Sequence, residues 1–249
     1  MSKKVLIPLP QTGFDPTETG VPWKILTEAG VEVVFATVNG KKATCDNIML
    51  TGKGLGLLAP FLKADKYGQQ AYHDMAASTA FKNPLKWSHL KHEDFDGLIL
   101  PGGHAKGMRE YLESEILQQL VVDFFSVEKP VGAICHGVLL VARSHYPNGK
   151  SVLHGRKTTA LLASQGLIAW ALTCLWMKDY YRTYSQRLAA EVKANLAATT
   201  DFIKGQMPLR RDNPLRLKKG FTVRDKNYLS ARWPGDAHRF ATEFLKLLG

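Results

Sequence analysis

The sequence predicts an α/β fold, a doubly wound and mostly parallel sheet with helices on both faces. Three observations predict it. Short apolar runs alternate with helical periodicities, the order expected of parallel strands covered on both sides. One of these runs ends in the turn residues Pro101-Gly102-Gly103-His104. Cys135 stands between the apolar run 130–134 and the apolar stretch 138–142, where a buried strand turns sharply into a helix.

The elements follow in order. Residues 4–9 predict the first strand. Residues 20–29 predict a helix, with Val21, Trp23, Ile25 and Leu26 on helical spacing and Gly30 as its stop. Residues 31–37 predict a second strand, closed by the turn Asn39-Gly40. Residues 45–92 read as an insertion with short helices at 54–62, 67–75 and 78–81. Residues 95–100 predict a buried strand, and 114–126 a helix capped by Ser114. After the Cys135 strand and its helix, 155–160 is a candidate strand, followed by helices near 165–177 and 185–197. Segments 221–224 and 228–232, split by Asp225-Lys226-Asn227, suggest a hairpin, and 235–248 a closing helix. No repeat or low-complexity tract is visible, and the chain is expected to form one domain over 1–249.

Composition narrows the function classes. Lys and Arg number 33 against 22 Asp and Glu, a net charge of +11. Part of that charge lies in Arg210, Arg211, Arg216, Lys218, Lys219 and Arg224. Such a stretch attracts phosphates or is simply a solvated loop; with only Phe221 among its residues, base stacking has little to work with, so nucleic acid is not the expected partner. Cys45, Cys135 and Cys174 form no CxxC pair and do not read as a disulfide framework. The N-terminal apolar run is too short for a signal peptide, and 160–177 is too interrupted by polar residues for a membrane span. A cytoplasmic location is expected.

Three motifs follow strand ends, so the topology gathers them on one rim. Cys135 is the candidate nucleophile. Ala133 and Gly137, two before and two after it, are as small as a crowded elbow demands. A helix N-terminus and the adjacent His136 are expected to lower the thiol's pKa. Gly102 and Gly103 leave backbone N–H groups free to approach a substrate, and Gly103 with His136 is the expected oxyanion hole. Glu18, in the loop after the first strand, reads either as an acid/base group beside the thiol or as a carboxylate complementing a helix dipole. His104 and Gly102 are candidate lining. His89-x-x-His92 lacks further ligands and reads as surface; no metal ligand is assigned. Trp170, Trp176, Tyr180 and Tyr181 read as core.

The combination of Pro101-Gly102-Gly103-His104, Ala133-Ile134-Cys135-His136-Gly137 and the Glu18 loop resembles the DJ-1/PfpI superfamily, the class I glutamine-amidotransferase-like fold. The resemblance extends to the closing segment, Arg232-Trp233-Pro234-Gly235-Asp236 included. It implies a flavodoxin-like fold, with Cys135 as an oxidation-prone nucleophile, His136 as its partner, Glu18 as the carboxyl contacting it and Gly103 as the oxyanion-hole glycine. It implies a homodimer and no cofactor. Where related sequences place a third, acidic residue, this chain has Gly166. A backbone carbonyl, Asp179 or a partner subunit remain as substitutes.

Two function classes follow from the resemblance. One is a cysteine-dependent, cofactor-free enzyme acting on small reactive carbonyls in the manner of glyoxalase III or a deglycase, or else on C–N bonds as an amidase or peptidase. The other is a stress-response chaperone or redox sensor that uses oxidation of Cys135. The missing acid favours small-carbonyl addition over amide hydrolysis, which needs a well-oriented histidine.

Overall fold

The computed structural model describes residues 2–207 and 210–249; the side chains at 166, 168, 169 and 176, and with them the expectation for Trp176, lie outside that description. In chain order the strands are β1 (Lys4–Pro8), β2 (Thr12–Phe14), β3 (Glu32–Thr37), β4 (Thr44–Cys45), β5 (Leu85–Lys86), β6 (Gly97–Leu100), β7 (Val131–Ile134), β8 (Thr222–Asp225) and β9 (Tyr228–Ala231). The α-helices are α1 (Pro16–Glu28), α2 (Asn47–Thr51), α3 (Ala59–Leu62), α4 (Lys66–Ala77), α5 (Thr79–Lys82), α6 (Met108–Leu112), α7 (Glu115–Ser126), α8 (Gly137–Arg143), α9 (Ala163–Met177), α10 (Leu188–Ala194) and α11 (Ala237–Leu247).

Apolar runs make the central strands. β1, β6 and β7 carry Leu6, Ile7, Leu98, Ile99, Val131 and Ile134, all fully buried, as strands covered on both faces must be. The main sheet runs β5-β3-β1-β6-β7-β9-β8, parallel except for β8 against β9. Leu6 pairs with Val34 on one side and Leu98 on the other; Ala133 pairs with Leu100 and Ser230. The chain leaves β1 toward β3 and later returns to β6 on its opposite edge. That reversal is a switch point, and the crevice beyond the carboxyl ends of β1 and β6 is where such sheets bind ligands. The fold is the expected flavodoxin-like one.

Some boundaries differ from expectation for local reasons. The first helix begins at Pro16, not Gly20. Asp15 caps it, its Oδ1 accepting from Thr17 N (2.8 Å) and Glu18 N (3.0 Å), and Pro16 supplies a preset first helical residue. Glu18 therefore belongs to the first turn of α1, not to a loop. Residues 155–160 form no strand: Thr158 makes one isolated bridge to Phe202. Thr158 Oγ1 and Thr159 N turn instead to Tyr228 Oη and Ser230 Oγ on β9. Within 45–92, β4 pairs with β2, β5 extends the main sheet at β3, and α4 packs on α1. α9 spans 15 residues, and among the described residues no helix is long and apolar enough to cross a membrane.

Candidate active site

β7 delivers Cys135 into a left-handed backbone conformation, φ 57°. Such a conformation costs a non-glycine residue about 1–3 kcal/mol and persists only where the surroundings over-determine it. They do so here. Cys135 N donates to Ala231 O (3.1 Å), Val138 N donates back to Cys135 O (3.3 Å), and the side chain is fully buried. Gly137 lies against the end of β6, where an added Cβ would collide with Leu100 O. The small residue two positions after the cysteine is thus a packing requirement.

Gly102 is the second required glycine. An added Cβ there would lie 2.6 Å from His136 N, 2.7 Å from Glu18 Oε2 and 2.9 Å from Cys135 Cβ. Its backbone N–H donates to Glu18 Oε2 (2.9 Å), and its carbonyl accepts from Asp15 N (2.8 Å). The strap after β6 is therefore stitched to the start of α1, and Glu18 is held against the Cys135 thiol. Gly103 N–H has no protein acceptor among the described residues.

Burial governs the electrostatics. It pushes the Glu18 carboxyl well above the usual carboxylate range, with Asp15 adding repulsion, which favours the protonated form of Glu18. Asp15 itself is raised by burial to about 6, offset in part by its capping bonds. Burial also pushes the Cys135 thiol up, and the neighbouring Glu18 and Asp15 carboxyls add to that. The expectation of an acidic thiol is thus corrected. α8 has only seven residues, and the imidazole beside the cysteine is no cation: burial holds His136 well below its ordinary value. His104 is lowered to about 4 for the same reason.

His136 has a fixed tautomer. Its Nδ1 is 3.5 Å from Cys135 Sγ, and its Nε2 is 3.3 Å from Thr183 Oγ1. Thr183 Oγ1 donates to the carbonyl oxygen of His104 (2.8 Å), which can only accept. The hydroxyl proton is thus committed, and His136 Nε2–H must be the donor to Thr183. Nδ1 then presents its lone pair to the thiol. Thr183 is itself clamped, its carbonyl accepting from Nε (2.9 Å) and Nη2 (2.7 Å) of Arg109.

The predicted residues Glu18, Gly102, Gly103, His104, Cys135 and His136 therefore converge on one rim. His104 and His136 meet edge to face at 5.1 Å between ring centroids. His104, Cys135 and His136 place one ligand atom each within 4.8 Å of one another, a set able to hold a soft cation although none was expected from sequence. His89 and His92 belong to no such group among the described residues. Asp179 is exposed and does not bond to His136, and Gly166 falls in α9 among the positions whose surroundings are not described. Thr183 occupies the third place, which sequence reasoning missed because nothing in its spacing links it to Cys135. Tyr181 is buried in a small apolar cluster with Met49 and Leu55, as its reading as core expected, and it also stacks edge to face on His104 and lines two cavities flanking the rim, of about 240 Å³ and 600 Å³.

Comparison with known proteins bears on the family and the fold. A family model described as ThiJ/PfpI family-like matches residues 9–195. A deglycase of Thermococcus kodakarensis is 24% identical over 245 residues, covering 98% of this chain and 99% of its own length. A glutathione-independent glyoxalase of Schizosaccharomyces pombe is 26% identical over 160 residues, 63% of this chain and 62% of that protein. An uncharacterised protein of the same yeast is 29% identical over 149 residues, and the match spans about half of its length (54%). In structure, glyoxalase III from Candida albicans superposes with a TM-score of 0.71 at 21% identity, covering 98% of this chain and 97% of that one.

Proposed function

Since the chain belongs to the ThiJ/PfpI family, within the DJ-1/PfpI superfamily, we propose that it is a cofactor-free enzyme in which Cys135 adds to small reactive carbonyls, as in a glyoxalase III or deglycase. The observation that carries the reading is the line Cys135 Sγ–His136 Nδ1–His136 Nε2–Thr183 Oγ1, with a protonated Glu18 on the other side of the sulfur. A buried neutral thiol is a poor nucleophile until a base takes its proton. The His136 lone pair is aimed at it.

With a 2-oxoaldehyde the steps balance without a redox partner. The S–H proton passes to His136 Nδ1 and sulfur bonds to the aldehyde carbon. The carbonyl oxygen takes up a proton, from Glu18 or from His136, and a hemithioacetal results. Gly103 N–H and His136 N–H are the donors available to that oxygen while it is negative. Moving the hydrogen from the former aldehyde carbon to its neighbour, through an enediol, turns the adduct into a thioester of a 2-hydroxy acid. Water then releases the acid and restores the thiol. Glu18 is the acid/base group for the transfer.

Thr183 favours this chemistry over amide hydrolysis. Hydrolysis requires an imidazolium that protonates a departing amine, and a neutral hydroxyl stabilises that cation far less than a carboxylate does. The test is a substrate panel without glutathione. The expected result is loss of methylglyoxal that depends on Cys135 and no cleavage of unactivated amides. Peptide cleavage abolished by His136→Ala would establish the hydrolase reading instead.

A further inference from the structure

Beyond the catalytic rim, the larger cavity, about 600 Å³, carries an arrangement that the chemistry of Cys135 does not use. Its wall is mostly apolar, with Phe61 and Leu161 among its residues. Three buried polar atoms of lining side chains have no hydrogen-bond partner among the described residues: Tyr181 Oη, Arg211 Nη1 and Trp233 Nε1. The arginine and tryptophan atoms can only donate, and the guanidinium is charged at any relevant pH. Unpaired buried donors are costly; the guanidinium as a whole is half-buried and lies 5.7 Å from the centroid of the Trp233 ring, so Nη1 is its unmet donor.

Arg211 is not part of a solvated basic loop. Its Nη2 donates to the carbonyl oxygens of Leu62 (3.3 Å) and Lys63 (2.9 Å), which fixes the fork with Nη1 left over. Among the described residues no carboxylate lies within salt-bridge distance of it. Asp15 feels its charge, but Asp15 Oδ1 is committed to the cap of α1. His104 joins this cavity to the nucleophile: it lines the cavity, and one of its ring nitrogens lies within 4.8 Å of Cys135 Sγ.

We infer that this cavity binds the anionic end of the substrate, so that the preferred carbonyl compound carries a carboxylate or phosphate on an apolar body and reaches from Cys135 past His104 to Arg211. A three-carbon dicarbonyl would leave most of the volume empty, whereas 300–1,000 Å³ is the usual range for a bound drug-sized molecule. Arg211, Tyr181 and Trp233 supply donors to the anion's oxygens, and charge-assisted bonds of this kind are the strong ones.

The inference deepens the proposed function, and its test does not depend on turnover. Calorimetry on the Cys135→Ala protein compares 4-acetylbenzoate with acetophenone, which share the ketone and differ by the carboxylate. The anion is expected to bind at least about tenfold more tightly. Arg211→Gln should erase the preference, and Tyr181→Phe, which deletes a single hydroxyl and leaves the Arg211 anchors untouched, should reduce it. Equal binding of the two probes, binding of neither, or a preference unchanged in Tyr181→Phe overturns the inference. Cys135-dependent methylglyoxal turnover, measured separately, decides the underlying reading.

Discussion

Thr183 Oγ1 lies 3.3 Å from His136 Nε2, and its own proton is already given to the carbonyl oxygen of His104. That one commitment sets the imidazole tautomer and leaves Nδ1 as a base facing Cys135. Thr183→Val removes the acceptor while keeping the shape. It should lower kcat by about 10–100-fold, up to the low end of the roughly 10²–10⁴-fold that general acid–base catalysis contributes, because the base is misoriented and not removed. Thr183→Ser, which keeps the hydroxyl, should restore most of it. Equal rates for all three proteins would show that the threonine does not orient the histidine.

The pH profile follows from burial of His136. The base must be neutral, and burial disfavours the imidazolium, so its pKa is depressed. As pH falls through 6.5, where an ordinary histidine would protonate, kcat/KM should hold; it should fall only well below that value. An acid limb centred at 6.5 or above would mean that His136 is charged in the resting site and is not the base.

Thiol reactivity gives an independent reading of the same electrostatics. Cys135 is fully buried with its pKa raised, while Cys174 is half-exposed. In the resting protein iodoacetamide should label Cys174 before Cys135, and the Cys135 rate should keep climbing above pH 8.5. A Cys135 rate that saturates below pH 7 would reveal a preformed thiolate and remove the need for His136 as base.

Two glycines hold the rim together through close approach. Gly137→Ala drives a methyl into Leu100 O at the end of β6 and should cost about 1–3 kcal/mol of stability, as overpacking does. Gly102→Ala places its methyl among His136 N, Glu18 Oε2 and Cys135 Cβ, so activity should be lost beyond any change in melting temperature. A Gly102→Ala protein with full activity would contradict the packing described around the nucleophile.

Much of this site was legible because its motifs follow strand ends. Cys135-His136 and Gly102-Gly103 lie just beyond β7 and β6, Glu18 follows β1 in the first turn of α1, and a parallel sheet brings such ends together whatever their separation in sequence. Thr183 was not legible, and Arg211 was legible only as one residue of a basic stretch that attracts phosphates or is solvated. Both lie outside the strand-end pattern, and both act through hydrogen bonds that only the packed chain reveals. The sign of the Cys135 shift was also misread. A helix start and a neighbouring histidine suggest an acidic thiol, but full burial and two nearby carboxyls outweigh a seven-residue helix. Residues 155–160 had strand-like composition but spend their polar groups on β9 side chains.

The most direct measurement is the formation of lactate from methylglyoxal, followed by NMR in the absence of glutathione and metal ions, with wild type, Cys135→Ser and Glu18→Gln compared side by side. The account predicts catalytic lactate formation by the wild type. It predicts a fall of at least about a thousandfold in Cys135→Ser, since loss of the nucleophile of a covalent mechanism removes nearly all of its rate. Glu18→Gln should also fall sharply, because an amide cannot carry the proton. No lactate from the wild type, or undiminished lactate from Cys135→Ser, would contradict it.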